Sequence, residues 1–185
     1  MPWVIGSGQS RGRRRLACPG VVRLLCLLLL LDSLLSVAAL GSEVYFSPGG
    51  GIRQRLVQAI QTSQRTIDIA VYNFTAAELA RALYAAKARG VQIRILVDRE
   101  NAEEGFVIRE LRRHGLPLRT LGIPELSLMH HKFTIFDDRL VATGSYNWTQ
   151  SAEHANYENL VLLDDPEVVT RFQREFNRLW REAKE

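Results

Sequence analysis

From residue 43 onward the chain switches between two hydrophobic periods. EVYFSP (43–48) reads as a short strand stopped by Pro48, and GGG (49–51) as a flexible turn. In IRQRLVQAIQTSQ (52–64), Ile52, Leu56 and Ile60 recur on one helical face with Val57 beside them. TIDIAVYNF (66–74) is β-branched and apolar, the pattern of a buried strand. Thr75 is placed to cap the following helix, with Glu78 at the capping-box position and Gly90 as the stop. VQIRILVD (91–98) reads as a strand, 103–114 as a helix ended by Gly115, LPLRTL (116–121) as a short strand and GIPELS (122–127) as a loop.

The second half changes rhythm. HKFTIFD (131–137) is a strand, Asp138-Arg139 a two-residue turn and LVATGS (140–145) its hairpin partner. ENLVLLD (158–164) is a further strand. Pro166 opens a final helix whose Val169, Phe172, Phe176 and Trp180 mark a core face. Strand–helix units first and a hairpin later predict an α/β fold, a mixed sheet with helices on both faces, in one domain over 41–185. No repeat of 20–50 residues interrupts it.

Residues 1–40 follow another logic. RGRRR (11–15) precedes an apolar run, VVRLLCLLLLLDSLLSVAAL (21–40), and the small residues Gly41-Ser42. The 17 residues between Arg23 and Gly41 are interrupted by Asp32, whereas a span needs about 20 apolar residues. A secretory signal peptide cut after Ala38 fits this pattern, giving an exported protein, periplasmic or secreted. The alternative is an uncleaved anchor with its arginines inside, giving membrane association through residues 21–40.

The tail also accounts for the chain's charge. The formal net is +4, yet five of the 24 basic residues and one of the 20 acidic ones lie in 1–40, leaving 19 of each in 41–185. An anionic ligand must therefore meet a local patch rather than a global field. Both cysteines, Cys18 and Cys26, are in the tail, so 41–185 has no disulfide framework.

The candidate chemistry lies in LMHHKFTIFDDRLVATGSYNWT (128–149). Strand alternation puts His130, Lys132, Thr134 and Phe136 on one face, and His131, Phe133, Ile135 and Asp137 on the other. An imidazole beside an ammonium suits a phosphoryl group: the lysine holds anionic oxygens, and the imidazole attacks phosphorus or moves a proton. Asp137, on the far face, reads as a structural anchor. Gly144 allows an unusual backbone angle or a close approach. Ser145 and Asn147 then offer donors for a phosphate, and Glu158 is placed to orient an imidazole. Each pair alone is weak; His130, Lys132, Asp137, Gly144, Ser145 and Asn147 at fixed spacing are specific. The paired histidines have no second ligand cluster with metal-binding spacing.

This set resembles the HKD signature of the phospholipase D superfamily. The likeness spans 43–182, through YFSP, AVYNFT, the HKD stretch with GSYNWT, and NYENL. It points to the short single-motif branch, which includes bacterial Nuc-type endonucleases and the Zucchini or mitochondrial cardiolipin hydrolase group. The resemblance implies a phospholipase D-like fold and no metal or other cofactor. It also implies that His130 forms a phosphohistidine, with Lys132 and Asn147 binding the phosphate, Ser145 assisting, Glu158 orienting the histidine and Asp137 structural. A second imidazole must protonate the leaving oxygen. The chain has only His114, His130, His131 and His154 and no second H-x-K, so the site is expected across the two-fold of a homodimer.

Three functions compete. A metal-independent endonuclease on DNA or RNA is favoured by the exported tail and the lack of lipid-binding insertions. A phospholipase D acting on a lipid such as cardiolipin would suit an uncleaved anchor. A non-catalytic nucleic-acid- or lipid-binding module is disfavoured by the complete motif. Trp148 and Tyr146 offer base stacking or core packing, with core favoured for Trp148. The arginines at 109, 112, 113 and 119 offer a phosphate track or, more plainly, a solvated face. His131 is expected packed or hydrogen-bonded, His114 at a helix C-terminus and His154 in a loop.

Overall fold

Beyond Met1, the computed structural model describes residues 41–185 apart from Glu104 and Pro124. The expected signal peptide or anchor in residues 1–40 falls outside the described residues. The strands are β1 (Ser42–Ser47), β2 (Thr66–Val71), β3 (Gln92–Asp98), β4 (Leu118–Ile123), β5 (Ser127–Leu128), β6 (Lys132–Phe136), β7 (Leu140–Gly144) and β8 (Glu158–Leu163). They form one sheet in the order β1-β8-β7-β6-β2-β3-β4-β5. β2, β3 and β4 run parallel, and the other neighbours pair antiparallel. The mixed sheet with helices on both faces is the architecture that the hydrophobic pattern predicts.

The helices are α1 (Ile52–Thr62), α2 (Ala77–Ala88), α3 (Arg99–Glu103), α4 (Phe106–Arg113), α5 (Gln150–His154) and α6 (Pro166–Glu182). On one face, Leu56, Leu83 and Leu111 from α1, α2 and α4 bury Ile67, Ile69, Ile93 and Ile95. On the other, α6 packs Val169, Phe176 and Leu179 against Ala70, Leu96, Phe133 and Ile135. Asp165 caps α6, accepting from Glu167 and Val168 N–H at 2.8 and 3.0 Å ahead of Pro166. Beneath α6 the buried Asp68 accepts from Arg94 at 2.6 and 2.7 Å and from Gln173 at 2.8 Å, tying helix to sheet. Among the described residues, no helix is long and apolar enough to cross a membrane.

Several local expectations change. Thr75 does not cap α2. Its N–H and that of Ala76 both donate to the Trp148 carbonyl at 2.8 Å, the helix starts after Ala76, and Glu78 lies 3.7 Å from Arg53. The helix expected over 103–114 begins later, as α4 after Gly105, and a short α3 that the sequence reading did not foresee precedes it, where Asp98 accepts from the Glu100 N–H. The expected loop 122–127 is largely a hairpin, since β4 continues to Ile123 and pairs Gly122 with Leu128. His154 ends a short helix rather than lying in a loop.

The turn after β6 is Asp137–Arg139 rather than two residues, because Asp137 and Asp138 both take left-handed conformations, at φ 52° and 56°. The Asp137 carboxylate earns that geometry. It accepts the backbone N–H groups of Gln64, Arg65 and Thr66 at 3.0, 2.7 and 3.0 Å. Arg65 in turn donates to the Asp137 carbonyl at 2.7 Å. Burial raises the Asp137 pKa, and the three N–H donors outweigh it, so the carboxyl sits below its ordinary value.

Asp137→Ala should strand these donors and cost about 3 kcal/mol of stability in urea unfolding at neutral pH. Because the folded pKa is depressed, Asp137's contribution is complete above the unfolded value of about 4. It fades as pH falls through the folded pKa. The gap between wild type and variant should narrow in acid; a gap constant from pH 7 to 3 would contradict this role.

Candidate active site

The site forms where β2 ends and β6 begins. Antiparallel pairing sets Val71 opposite Lys132, so Tyr72, just past β2, meets His130, just before β6. Their ring centroids are 4.6 Å apart. The Lys132 ammonium stands 4.9 Å from the Tyr72 centroid and donates to the His130 carbonyl at 2.8 Å. The imidazole and the ammonium therefore share one aromatic support, on the common face that alternation assigns them. Burial lowers the Lys132 pKa, and the Glu158 charge opposes that fall.

One residue upstream, the Met129 N–H donates to the buried Asp98 carboxylate at 2.9 Å. This bond fixes the backbone from which His130 projects. His131 turns to the α6 face, edge-on to Phe133 at 5.4 Å and 3.7 Å from Glu175. It was expected to be packed or hydrogen-bonded, and it meets Phe133 and the Glu175 carboxylate while 48 % of its side chain stays exposed.

At the end of β7, Gly144 provides a close approach rather than an unusual angle. A Cβ there would meet the Asn159 backbone carbon and side-chain oxygen, each at 2.9 Å. That contact brings β7 against β8. The Ser145 hydroxyl, expected at the phosphate, donates to Glu158 at 2.5 Å and accepts from the Asn159 N–H at 3.1 Å. The second Glu158 oxygen accepts from Asn156 at 3.0 Å. Among the described residues no hydrogen bond joins Glu158 to His130 of the same chain: both carboxylate oxygens are engaged elsewhere. The Asn147 side-chain oxygen accepts from the Asn73 N–H at 3.3 Å, which leaves its NH₂ group as the donor end of the amide.

Two loops carry these groups and are laced together. Trp148 N–H donates to the Asn73 carbonyl at 3.1 Å, while the Trp148 carbonyl takes the N–H groups of Thr75 and Ala76. The Trp148 and Phe74 rings meet edge-to-face at 4.8 Å. Trp148 and Tyr146 are buried, so both serve the core and neither offers a stacking platform. His114 is remote, at the end of α4, where it bonds the Glu110 carbonyl and stacks on Tyr84 at 3.9 Å. Among the described residues no cluster of three or more His, Cys, Asp or Glu is arranged to hold a metal ion. A cleft of about 750 Å³ opens at His130, between the β4–β5 hairpin and the C-terminal turn of α6.

Sequence reasoning missed Tyr72, Asn73, Asp98 and Asn156. For Asp98 a signal existed: an acid ending the apolar run VQIRILVD must find donors if buried. For Tyr72 there was none, since its contacts depend on which strand lies beside β2.

Three comparisons bear on this arrangement. A family profile described as "Cardiolipin synthase, PLD-like domain" matches residues 56–180. A mitochondrial cardiolipin hydrolase of Xenopus tropicalis is 38% identical over 129 residues, covering 69% of this chain and 60% of that protein. The match thus spans less than two thirds of that relative's length. A phospholipase D of Rickettsia bellii is 32% identical over 140 residues, covering 75% of this chain and 68% of that protein. The crystal structure of Nuc, a phospholipase D family member from Salmonella typhimurium, superposes with a TM-score of 0.71 at 32% identity. It covers 78% of this chain and 96% of that one.

Glu158→Gln should lower the Lys132 pKa further, because it removes the charge that props the ammonium up against burial. An NMR titration of the lysine side chain reads this directly; an unchanged or raised pKa would mean the two groups do not interact.

Proposed function

The chain belongs to the phospholipase D-like family, and from that premise we propose that it is a phosphodiester hydrolase acting through a phosphohistidine on His130. The observation that carries this reading is His130 and Lys132 seated together on Tyr72, with His130 lining an open cleft. A neutral His130 imidazole donates its lone pair to phosphorus, forming an N–P bond as the P–O bond to the leaving alcohol breaks. A second imidazole, protonated, gives its proton to that oxygen. The same group, now neutral, takes a proton from water, whose oxygen attacks phosphorus and breaks the N–P bond. The products are an alcohol and a phosphate monoester. Lys132 and the Asn147 NH₂ group neutralise the charge on the transferring phosphoryl group.

The second imidazole comes from another copy of the chain, so the active species is a two-fold dimer. Two imidazoles at one phosphate titrate as a coupled pair, one neutral and one charged. Glu158, bonded among the described residues of its own protomer only to Ser145 and Asn156, orients the imidazole of the other. Ser145 holds that carboxylate and so assists the phosphate at one remove. Residues 1–40 act as the export signal or membrane anchor of a 41–185 catalytic domain.

Nucleic acid is the substrate we favour, on the cationic lining that continues away from His130. The specific observation behind a phospholipid reading is the apolar β4–β5 hairpin beside the cleft, where Ile123, Leu126 and Leu128 are 55, 81 and 51 % exposed.

Single-stranded DNA, RNA and cardiolipin vesicles offered side by side should rank the substrates, with nucleic acid cut fastest. Acid quench during turnover should leave phosphate on His130 and none on the inactive His130→Ala; a phosphorus-free His130 in an active enzyme would overturn the mechanism. Sedimentation of the working enzyme should give a dimer, and a fully active monomer would remove the shared site.

A further inference from the structure

The cleft at His130 does not end at the catalytic groups. After α6 the chain folds back on the sheet, where Lys184 and Thr120 exchange two backbone hydrogen bonds at 2.7 and 2.9 Å. This pairing sets Lys184 in the cleft wall with Arg99, which follows the last residue of β3. Arg99 and Lys184 also line a second hollow of about 350 Å³. That hollow shares Arg112 and Glu185 with a third, of about 440 Å³, walled by Leu116, Pro117 and Trp180. Through these shared walls the three hollows succeed one another away from His130, and together they are called the trough.

Charge along the trough is uneven. Its carboxylates are already engaged: Glu182 accepts from Arg178 at 2.9 and 3.0 Å, and Glu185 lies 3.6 Å from Arg119. Arg99, Lys184 and Arg112 have no hydrogen-bonded or ion-paired side-chain partner among the described residues. Three successive cations, unpaired among the described residues, form a local anion track on a domain whose 19 acids and 19 bases cancel only when these three are counted. A phospholipid headgroup presents its phosphates at one place and would leave the outer cations unused. A linear polyanion meets each in turn. The Trp180 ring is covered by Arg119 at 4.7 Å and Phe176 at 5.9 Å, so the trough offers no open aromatic platform for a base there.

We infer that a nucleic-acid strand runs from His130 along this trough, its successive phosphates held by Arg99, Lys184 and Arg112. The inference rests on the nuclease reading and adds to it a direction, a dependence on chain length and indifference to base identity.

The test uses the full chain. In a His130→Ala background, fluorescence anisotropy measures affinity for labelled single-stranded oligonucleotides of about 4 and about 16 nucleotides over a range of salt. The longer strand should bind more tightly, whatever its bases. Arg112→Ala with Lys184→Ala should erase most of that advantage, and should reduce the slope of log affinity against log salt by about 0.7 per lost contact. Arg139→Ala, in the turn at the far end of β6, is the single-charge control remote from the trough, compared per charge removed. An unchanged length advantage and slope in the double variant would overturn the track, as would an equal loss in Arg139→Ala. If wild type cuts oligonucleotides while the variants behave like it, the track fails alone. If wild type leaves every oligonucleotide intact and hydrolyses phospholipid vesicles, the nuclease reading fails and the track with it.

Discussion

Asp137 takes the N–H groups of Gln64, Arg65 and Thr66 just where β6 ends and β2 begins, and the rest of the site hangs from the register this sets. From that end the two strands pair step by step to Val71 opposite Lys132. A slip of one residue would turn every side chain of β6 to the wrong face. Phe133 and Ile135 would leave the α6 core, and Lys132 would leave Tyr72. The carboxylate is at the opposite end of the strand from the chemistry, yet it decides where the chemistry stands. Its depressed pKa keeps it ionised, and so fully effective, across the neutral range.

How much of this was legible depends on the range of the interaction. The alternation of β6 is local, and it correctly put His130 with Lys132 and set Asp137 apart. The core positions of α1 and α6 were equally visible, because helical periodicity is a property of the segment alone. Thr75 failed as a cap for the opposite reason. Its surroundings are set by Trp148, more than seventy residues away in sequence, and a tertiary carbonyl outcompeted a local side-chain bond. Ser145 and Glu158 were picked out by type and spacing, but their mutual bond arises only because Gly144 lets β7 approach Asn159. The β4–β5 hairpin was hidden because Gly122 and Pro124 read as loop residues, and pairing with β4 was not visible in the segment itself.

The site is also an exercise in holding charges without neutralising them. Lys132 rests on an aromatic ring and a carbonyl instead of a carboxylate. Glu158 is bound by a hydroxyl and an amide instead of a cation. Each group is oriented by neutral partners, so its charge remains available to something that arrives from outside. Elsewhere the opposite holds: Asp68 with Arg94 and Glu43 with Arg55 are closed pairs with hydrogen bonds of 2.6–2.7 Å. The contrast between open and closed charges separates the functional end of the sheet from its scaffold.

The position of β1 has a consequence for biogenesis. Among the described residues this strand pairs only with β8, the last of these strands to leave the ribosome. Until then its outward Val44 and Phe46 have no neighbouring strand, and an unpaired apolar edge of this kind invites association with other chains. The same late arrival delays Glu158, which opens β8, so a nascent chain carries His130 and Lys132 before it carries a finished site. In that order of emergence, the groups at the head of β6 and of β8 come together only once the sheet is complete.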